Sequence, residues 1–150
     1  MELTAAYVFK APLERVWEQM LDPATVAACL PGCEQCESLG DDRFRIALNA
    51  RIAAVGGRFS GTVIIADKKP PESYRLIIDG CGATGFASGE LIVTLRPTGD
   101  EVGVDVHSVI RVGGLIAHVG QRLLGAASRA TMDRYFTCLR DKIEATGLGR

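Results

Sequence analysis

One long stretch of helical pattern, residues 113–145, constrains the fold more than any other part of this sequence. It contains no proline and opens at the pair Gly113-Gly114. A helix of that length would span about 50 Å, which exceeds most helices of small domains. Such a helix needs a broad apolar surface to pack on, and the rest of the chain has to supply it.

The apolar residues of this stretch form two stripes with the spacing of an amphipathic helix. At about 100° per residue, the second stripe is rotated from the first by roughly 150°. Either the helix bends near Thr131, or its first half faces a cavity or partner, or alanines broaden a single apolar face. The stripes consist of Leu115, Ile116, Val119, Leu123, Ala126, Ala127 and Ala130, and of Met132, Tyr135, Phe136, Leu139 and Ile143.

The N-terminal third predicts a strand followed by two short helices. Residues 2–9 alternate weakly between apolar and polar, as a strand does. Pro12 suits the start of the first helix, and Asp22 with Pro23 suits the N-cap and first turn of the second. The Leu30-Pro31-Gly32 run ends this unit.

From Cys33 to Arg111 the pattern has a period of two residues, which is typical of strands with one buried face. Turn residues at 40–42, 55–57, 69–72, 80–82 and 97–100 separate the strands and predict an antiparallel meander. The inward-facing sets are Phe44, Ile46, Leu48, Ala50 and Ile52; Phe59, Gly61, Val63 and Ile65; Tyr74, Leu76 and Ile78; Leu91, Val93 and Leu95; and Val102, Val104, Val106, Ser108 and Ile110.

Together these elements predict one α+β domain over residues 1–150 with the helix-grip fold. In that fold a curved antiparallel sheet and two short helices surround a long C-terminal helix. Glycines within or beside the strands favour strong bending of the sheet, which leaves room for a hollow beneath the helix. They are Gly61, Gly85, Gly89 and Gly103.

Charge and hydropathy exclude several classes of partner. The formal net charge of −1 gives no basic surface for nucleic acid. Glu2 occupies a position where a signal peptide has basic residues, and no apolar run reaches the length needed to span a bilayer. We therefore expect a soluble cytoplasmic protein.

The chain has five cysteines, an odd number that predicts reduced structural thiols rather than a disulfide framework. The alternative is a metal or redox site at Cys33 and Cys36, with Cys29 nearby. A zinc site normally has a second pair of ligands, and the two histidines lie far away in other elements, so we expect no metal. The five are Cys29, Cys33, Cys36, Cys81 and Cys138.

Four motifs, in order and spacing, resemble the CoxG family of carbon monoxide dehydrogenase subunits. This family belongs to the START-like, or Bet v 1-like (SRPBCC), superfamily of helix-grip proteins. The resemblance covers nearly the whole chain. The motifs are LPGCE at 30–34, PPESYRL at 70–76, GFASGE at 85–90 and GGLIAHVGQR at 113–122.

The resemblance implies a noncatalytic accessory protein that binds a hydrophobic ligand. Its partners would be the catalytic components of a molybdenum hydroxylase of the carbon monoxide dehydrogenase type, which it would help to recruit to the membrane. No tightly bound cofactor is implied, but a lipid or quinone would fit an apolar cavity. Many family members have a further C-terminal extension, whereas this sequence ends at Arg150. We therefore expect peripheral and reversible membrane contact.

The expected cavity lining combines inward-facing strand residues with the first apolar stripe. Gly120 belongs to this set because a glycine inside a helix is unfavourable unless another group approaches closely. The set comprises Leu30, Ile46, Leu48, Val63, Leu76, Ile78, Phe86, Val93, Val106, Ser108, Ile110, Ile116, Val119, Gly120 and Leu123.

A small enzyme of the cyclase or hydrolase type, acting on a hydrophobic substrate in the cavity, is the alternative. Asp105 and His107 lie two residues apart on one strand and could form an acid–base pair. Their alternation with Val104 and Val106 predicts the solvent face instead, and His118 fits the surface of a helix start. The arginines at positions 43, 45, 51 and 58 would keep the outer sheet soluble. We therefore predict no catalytic residue.

Overall fold

The computed structural model describes residues 1–148. Residues 149–150, at the C-terminal end on which the expectation of peripheral contact rested, lie outside this range. The elements in chain order are β1 (Glu2–Phe9), α1 (Leu13–Met20), α2 (Pro23–Cys29), β2 (Cys33–Gly40), β3 (Arg43–Ile52), β4 (Val55–Lys69), β5 (Ser73–Gly82), β6 (Gly85–Thr98), β7 (Glu101–Gly113), a short 3₁₀ helix (Leu115–Val119) and α3 (Gln121–Leu148).

The strands form a seven-stranded antiparallel sheet in the order β1-β7-β6-β5-β4-β3-β2. The sheet curves around α3, so the helix-grip prediction is confirmed. The turns at 53–54 and 83–84 lie at the same end of the sheet as the 3₁₀ helix, because neighbouring strands alternate in direction. We call this end the distal end and the opposite one the core end.

The hydrophobic core fills the core end. Phe136, Leu139 and Ile143 of α3 are buried there, as the second apolar stripe predicts, and Phe136 stacks on Tyr7 of β1 at 4.1 Å between ring centroids. The buried residues of this core are Phe9, Ala11, Val16, Met20, Tyr74, Val93, Leu95, Val102, Val104, Val106, Phe136, Leu139 and Ile143.

The predicted single helix over 113–145 is wrong in its first part. A 3₁₀ helix covers Leu115–Val119, Gly120 adopts a positive φ of 99°, and α3 begins only at Gln121. Because a residue with positive φ interrupts a right-handed helix, the first apolar stripe is divided between two helices. Leu115, Ile116 and Val119 belong to the 3₁₀ helix, whereas its later members, from Leu123 onward, lie in α3 with the second stripe. Helix α3 continues without interruption through Thr131, near which a bend was one of the three predicted alternatives.

Two predicted turns, at 55–57 and 80–82, are also wrong. Both segments lie within strands, and the reversals occur at the less distinctive residues 53–54 and 83–84. Gly82 marks a close approach of strands instead of a turn, because a Cβ there would collide with the carbonyl group of Arg58. The edge strand β2 has no clear alternation, because most of its side chains are exposed.

Candidate ligand-binding site

A large apolar hollow lies between the inner face of the sheet and α3. It has two adjoining lobes, with volumes of about 760 Å³ and about 380 Å³. The larger lobe extends beneath α1 and α2, and the smaller one reaches the distal end beneath the 3₁₀ helix. The lobes share the walls formed by Leu30, Ile46, Leu48, Ala50, Ile52, Val63, Ile78, Ala87, Ser128 and Met132.

The hollow exists because small residues occupy the inner face of the sheet toward the distal end. One row of paired residues crosses five strands and has two glycines and an alanine at its centre. At the core end the equivalent rows carry large side chains that pack against α3. The small-residue row consists of Ile46, Gly61, Gly80, Ala87 and Val112, all of which line the smaller lobe.

Most of the predicted lining residues lie on the walls of the hollow. Whether they contact a ligand stays a prediction. The structure brings together Leu30, Ile46, Leu48, Val63, Leu76, Ile78, Phe86, Val93, Val106, Ser108, Ile110 and Ile116.

Val119, Gly120 and Leu123 do not line the hollow, so this part of the prediction is wrong. The interruption at Gly120 resets the helical register, which turns Leu123 outward and Leu124 inward. Leu123 is 45% exposed, whereas Leu124 is only 4% exposed and lines the smaller lobe.

Several walls of the larger lobe were not predicted from the sequence. Met132, Tyr135 and Phe136 belong to the second apolar stripe, which was not included in the predicted lining. All three nevertheless face the hollow. The apolar faces of α1 and α2, which are visible in the sequence, could also have identified wall residues. The missed residues there and on the strands include Met20, Leu21, Val26, Phe44 and Tyr74.

Two tyrosines and one cysteine are among the polar residues of the larger lobe, whose lining also includes Ser128 and the exposed residues Asn49, Arg51, Thr131 and Arg134. Tyr74 of β5, Tyr135 of α3 and Cys36 of β2 all line it. Burial raises the pKa of the Tyr74 phenol far above its ordinary value, and burial together with nearby Cys36 raises the pKa of Tyr135 to about 12. Burial also raises the pKa of the Cys36 thiol. These groups are therefore neutral near pH 7.

For two of the five cysteines the prediction of reduced thiols is wrong. Cys29, at the end of α2, forms a disulfide with Cys138 of α3, while Cys33, Cys36 and Cys81 are free. The disulfide joins positions 109 residues apart, a proximity that no local sequence pattern reveals. Within residues 1–148, no group of three or more potential ligands could hold a metal ion.

Asp105 and His107 lie on the outer face of the sheet, as predicted. Asp105 accepts hydrogen bonds from Arg96, which lower the pKa of its carboxyl group, and His107 contacts Glu2 at 2.6 Å. Asp105 thus makes a surface ion pair with Arg96, and His107 makes a surface hydrogen bond with Glu2, both outside the hollow. His118 is exposed, as are the four arginines at 43, 45, 51 and 58.

The distal end combines exposed apolar side chains with arginines. Leu115 of the 3₁₀ helix is 58% exposed, and Phe86 of β6 is exposed while also lining the smaller lobe. The guanidinium group of Arg111 lies 5.9 Å from the centre of the Phe86 ring. The sequence from 106 to 132 contains no aspartate or glutamate. The smaller lobe is therefore bordered at this end by exposed apolar side chains and an arginine, and Asp79 of β5 also lines it.

A curved sheet that encloses an apolar hollow beneath a C-terminal helix defines the START-like class of fold, and solved structures of that class match this chain. A START superfamily protein from Mycobacterium smegmatis has a TM-score of 0.78 at 13% identity, with 97% of this chain and 98% of that chain covered. The Zhui aromatase/cyclase from Streptomyces sp. R1128 has a TM-score of 0.67 at 15% identity, with coverage of 96% and 93%.

A conserved protein from Geobacillus kaustophilus is more similar, with a TM-score of 0.93, 28% identity and 97% coverage of both chains. Residues 8–144 match the CoxG family of carbon monoxide dehydrogenase subunits. The chain belongs to this family. Its sequence has no significant match among curated proteins. None of the helices described in residues 1–148 combines the length and hydropathy that a bilayer-spanning segment needs.

Proposed function

We propose that this protein is a noncatalytic accessory protein that carries a hydrophobic molecule in its hollow. The larger lobe, at about 760 Å³, falls within the size range of small-molecule sites. Its walls are mostly aliphatic and aromatic, so they favour a largely apolar ligand. The single observation that carries the proposal is this hollow, which the side chains of the sheet and α3 leave unfilled.

The ligand class that fits best is a membrane-soluble molecule such as a quinone or another lipid. Membership of the CoxG family supports a redox enzyme as the partner, namely a molybdenum hydroxylase of the carbon monoxide dehydrogenase type. A quinone would accept the electrons that such an enzyme releases. The proposed role is therefore to couple that enzyme to the membrane by carrying or exchanging the quinone.

The distal end is the proposed site of contact with the membrane. Leu115 and Phe86 would enter the interface, and Arg111 and Arg122 would face anionic lipid headgroups. The smaller lobe reaches the same end, with Phe86 and Ile116 in its walls. A ligand could then pass between the bilayer and the hollow without crossing water.

Catalysis is a weaker interpretation because the candidate acid–base pair faces away from the hollow. Asp105 and His107 have Arg96 and Glu2 as partners on the outer face. A substrate in the hollow would contact neither of them.

The test is to purify the protein from bacterial cells, extract it with organic solvent and analyse the extract by mass spectrometry. We expect a quinone or another lipid at close to one molecule per chain, and an extract from an unrelated protein of similar size serves as the control. If the extract contains no more quinone or other lipid than this control, and added quinone does not bind to the protein, the proposal of a carrier function is wrong.

A further inference from the structure

We infer that the hydroxyl groups of Tyr74 and Tyr135 form a hydrogen-bonding site for a carbonyl oxygen of the ligand. This inference rests on the proposed function, because it assumes that a hydrophobic molecule occupies the larger lobe. It adds a polar recognition element to a mostly apolar hollow. The ligand class it selects is an apolar ring or chain that bears a neutral acceptor oxygen.

The two phenol rings are held in place by aromatic neighbours. Tyr74 is only 4% exposed, and Trp17 of α1 meets its ring edge-on at 5.5 Å between centroids. Tyr135 packs against Phe136 in a similar edge-on arrangement at 5.2 Å. Since both rings line the larger lobe, β5 and α3 present two preoriented hydroxyl groups from different walls.

Neither hydroxyl group forms a hydrogen bond within residues 1–148. Buried tyrosine hydroxyls normally have a partner, because an unpaired polar group is costly to bury. Neither oxygen is sealed inside the protein either. In this part of the chain Thr84 Oγ1 is the one fully enclosed side-chain polar atom without a partner. The phenol oxygens therefore keep some accessible surface, and both residues line the larger lobe.

The surroundings indicate that the ligand group is a neutral acceptor. Both phenols are protonated near pH 7, as tyrosines ordinarily are, and burial raises their pKa values further, so each can donate a hydrogen bond. The thiol of Cys36 on the same lobe is neutral for the same reason, so it offers no charge to a cationic ligand. A carboxylate would lose hydration here, and the arginines that line this lobe, Arg51 and Arg134, are exposed side chains. A carbonyl group matches these donors best.

The test compares two probes of nearly equal shape, 2-methyl-1,4-naphthoquinone and 2-methylnaphthalene. Their affinities are measured by displacement of the apolar dye N-phenyl-1-naphthylamine from the wild type and from Tyr74→Phe and Tyr135→Phe. Tyr7→Phe is the control, because the Tyr7 hydroxyl donates to Asp133 at 2.7 Å, away from the hollow.

We expect Tyr74→Phe and Tyr135→Phe each to reduce the ratio of quinone affinity to hydrocarbon affinity by about fivefold, because this is the usual effect of losing one neutral hydrogen bond. Hydrocarbon binding should stay unchanged, which also shows that the variants fold. Tyr7→Phe should preserve the ratio. If the ratio is the same in all four proteins, the inference of a hydrogen-bonding site at the two phenols is wrong, but the proposed carrier function is not contradicted. If the wild type binds neither probe, the carrier function itself fails.

Discussion

Cys29 and Cys138 join α2 to α3 through a disulfide with a Cα–Cα distance of 5.4 Å. Val26 lies about one helical turn before Cys29, and Tyr135 lies about one turn before Cys138. Both Val26 and Tyr135 line the larger lobe. The bond therefore fixes one wall of the hollow relative to another.

Removing this disulfide should destabilise the protein. Removing a native disulfide typically costs about 2–5 kcal/mol, and a closed loop of about 100 residues favours the upper end of this range, since a longer loop restricts the unfolded chain more. We expect Cys138→Ser to lower the free energy of unfolding by that amount in urea titrations. Cys81→Ser is the control, because Cys81 is free and exposed. Equal stability of the two variants under oxidising conditions would contradict the disulfide.

Substitution of Gly120 and of Gly125 by alanine should change the free energy of unfolding in opposite directions. Gly120 adopts a φ of 99°, which is unfavourable for alanine, so Gly120→Ala should lower the free energy of unfolding by about 1 kcal/mol or more. Gly125 lies within α3, and a Cβ there would meet nothing within 4 Å. Gly125→Ala should therefore raise stability by up to about 1 kcal/mol.

Thermal and urea unfolding of these two variants check the helix boundary directly. A continuous helix through residue 120 would make both substitutions stabilising, and that result would contradict the interruption described above.

Leu115→Glu should weaken binding to anionic vesicles. The side chain is exposed at the distal end, and burial of a leucine contributes about 1.5–3 kcal/mol, so we expect at least a tenfold loss of affinity. Co-sedimentation with phosphatidylglycerol–phosphatidylcholine vesicles measures it. Leu39→Glu is the control, because Leu39 is 43% exposed but lies near the core end of β2. Equal losses in both variants would show that the distal end is not the contact site.

The sequence predicted the sheet side of the hollow well. Ile46, Val63 and Ile78 belong to sets of apolar residues spaced two apart, and a period of two residues determines which face each side chain occupies. Once the strands were recognised, their inward-facing residues followed. The order of the elements then predicted a helix-grip fold, in which the sheet surrounds the C-terminal helix.

The helical side of the hollow could not be predicted in the same way. Leu123 and Leu124 are equally apolar, and only the backbone conformation of Gly120 decides which one faces inward. The adjacency of Tyr74 and Tyr135 depends on how α3 crosses the sheet. Periodicity within one element contains no information on such distances between elements.

The most direct measurement of the central claim is native mass spectrometry of a variant whose hollow is blocked. Ala87 lines both lobes, so Ala87→Trp places an indole at their junction, whereas the neighbouring Ser88 points to the opposite face of the sheet. We predict that the wild type and Ser88→Trp bind 2-methyl-1,4-naphthoquinone in a one-to-one complex, and that Ala87→Trp loses it while keeping a cooperative unfolding transition. Equal binding by a folded Ala87→Trp protein would contradict ligand binding in this hollow.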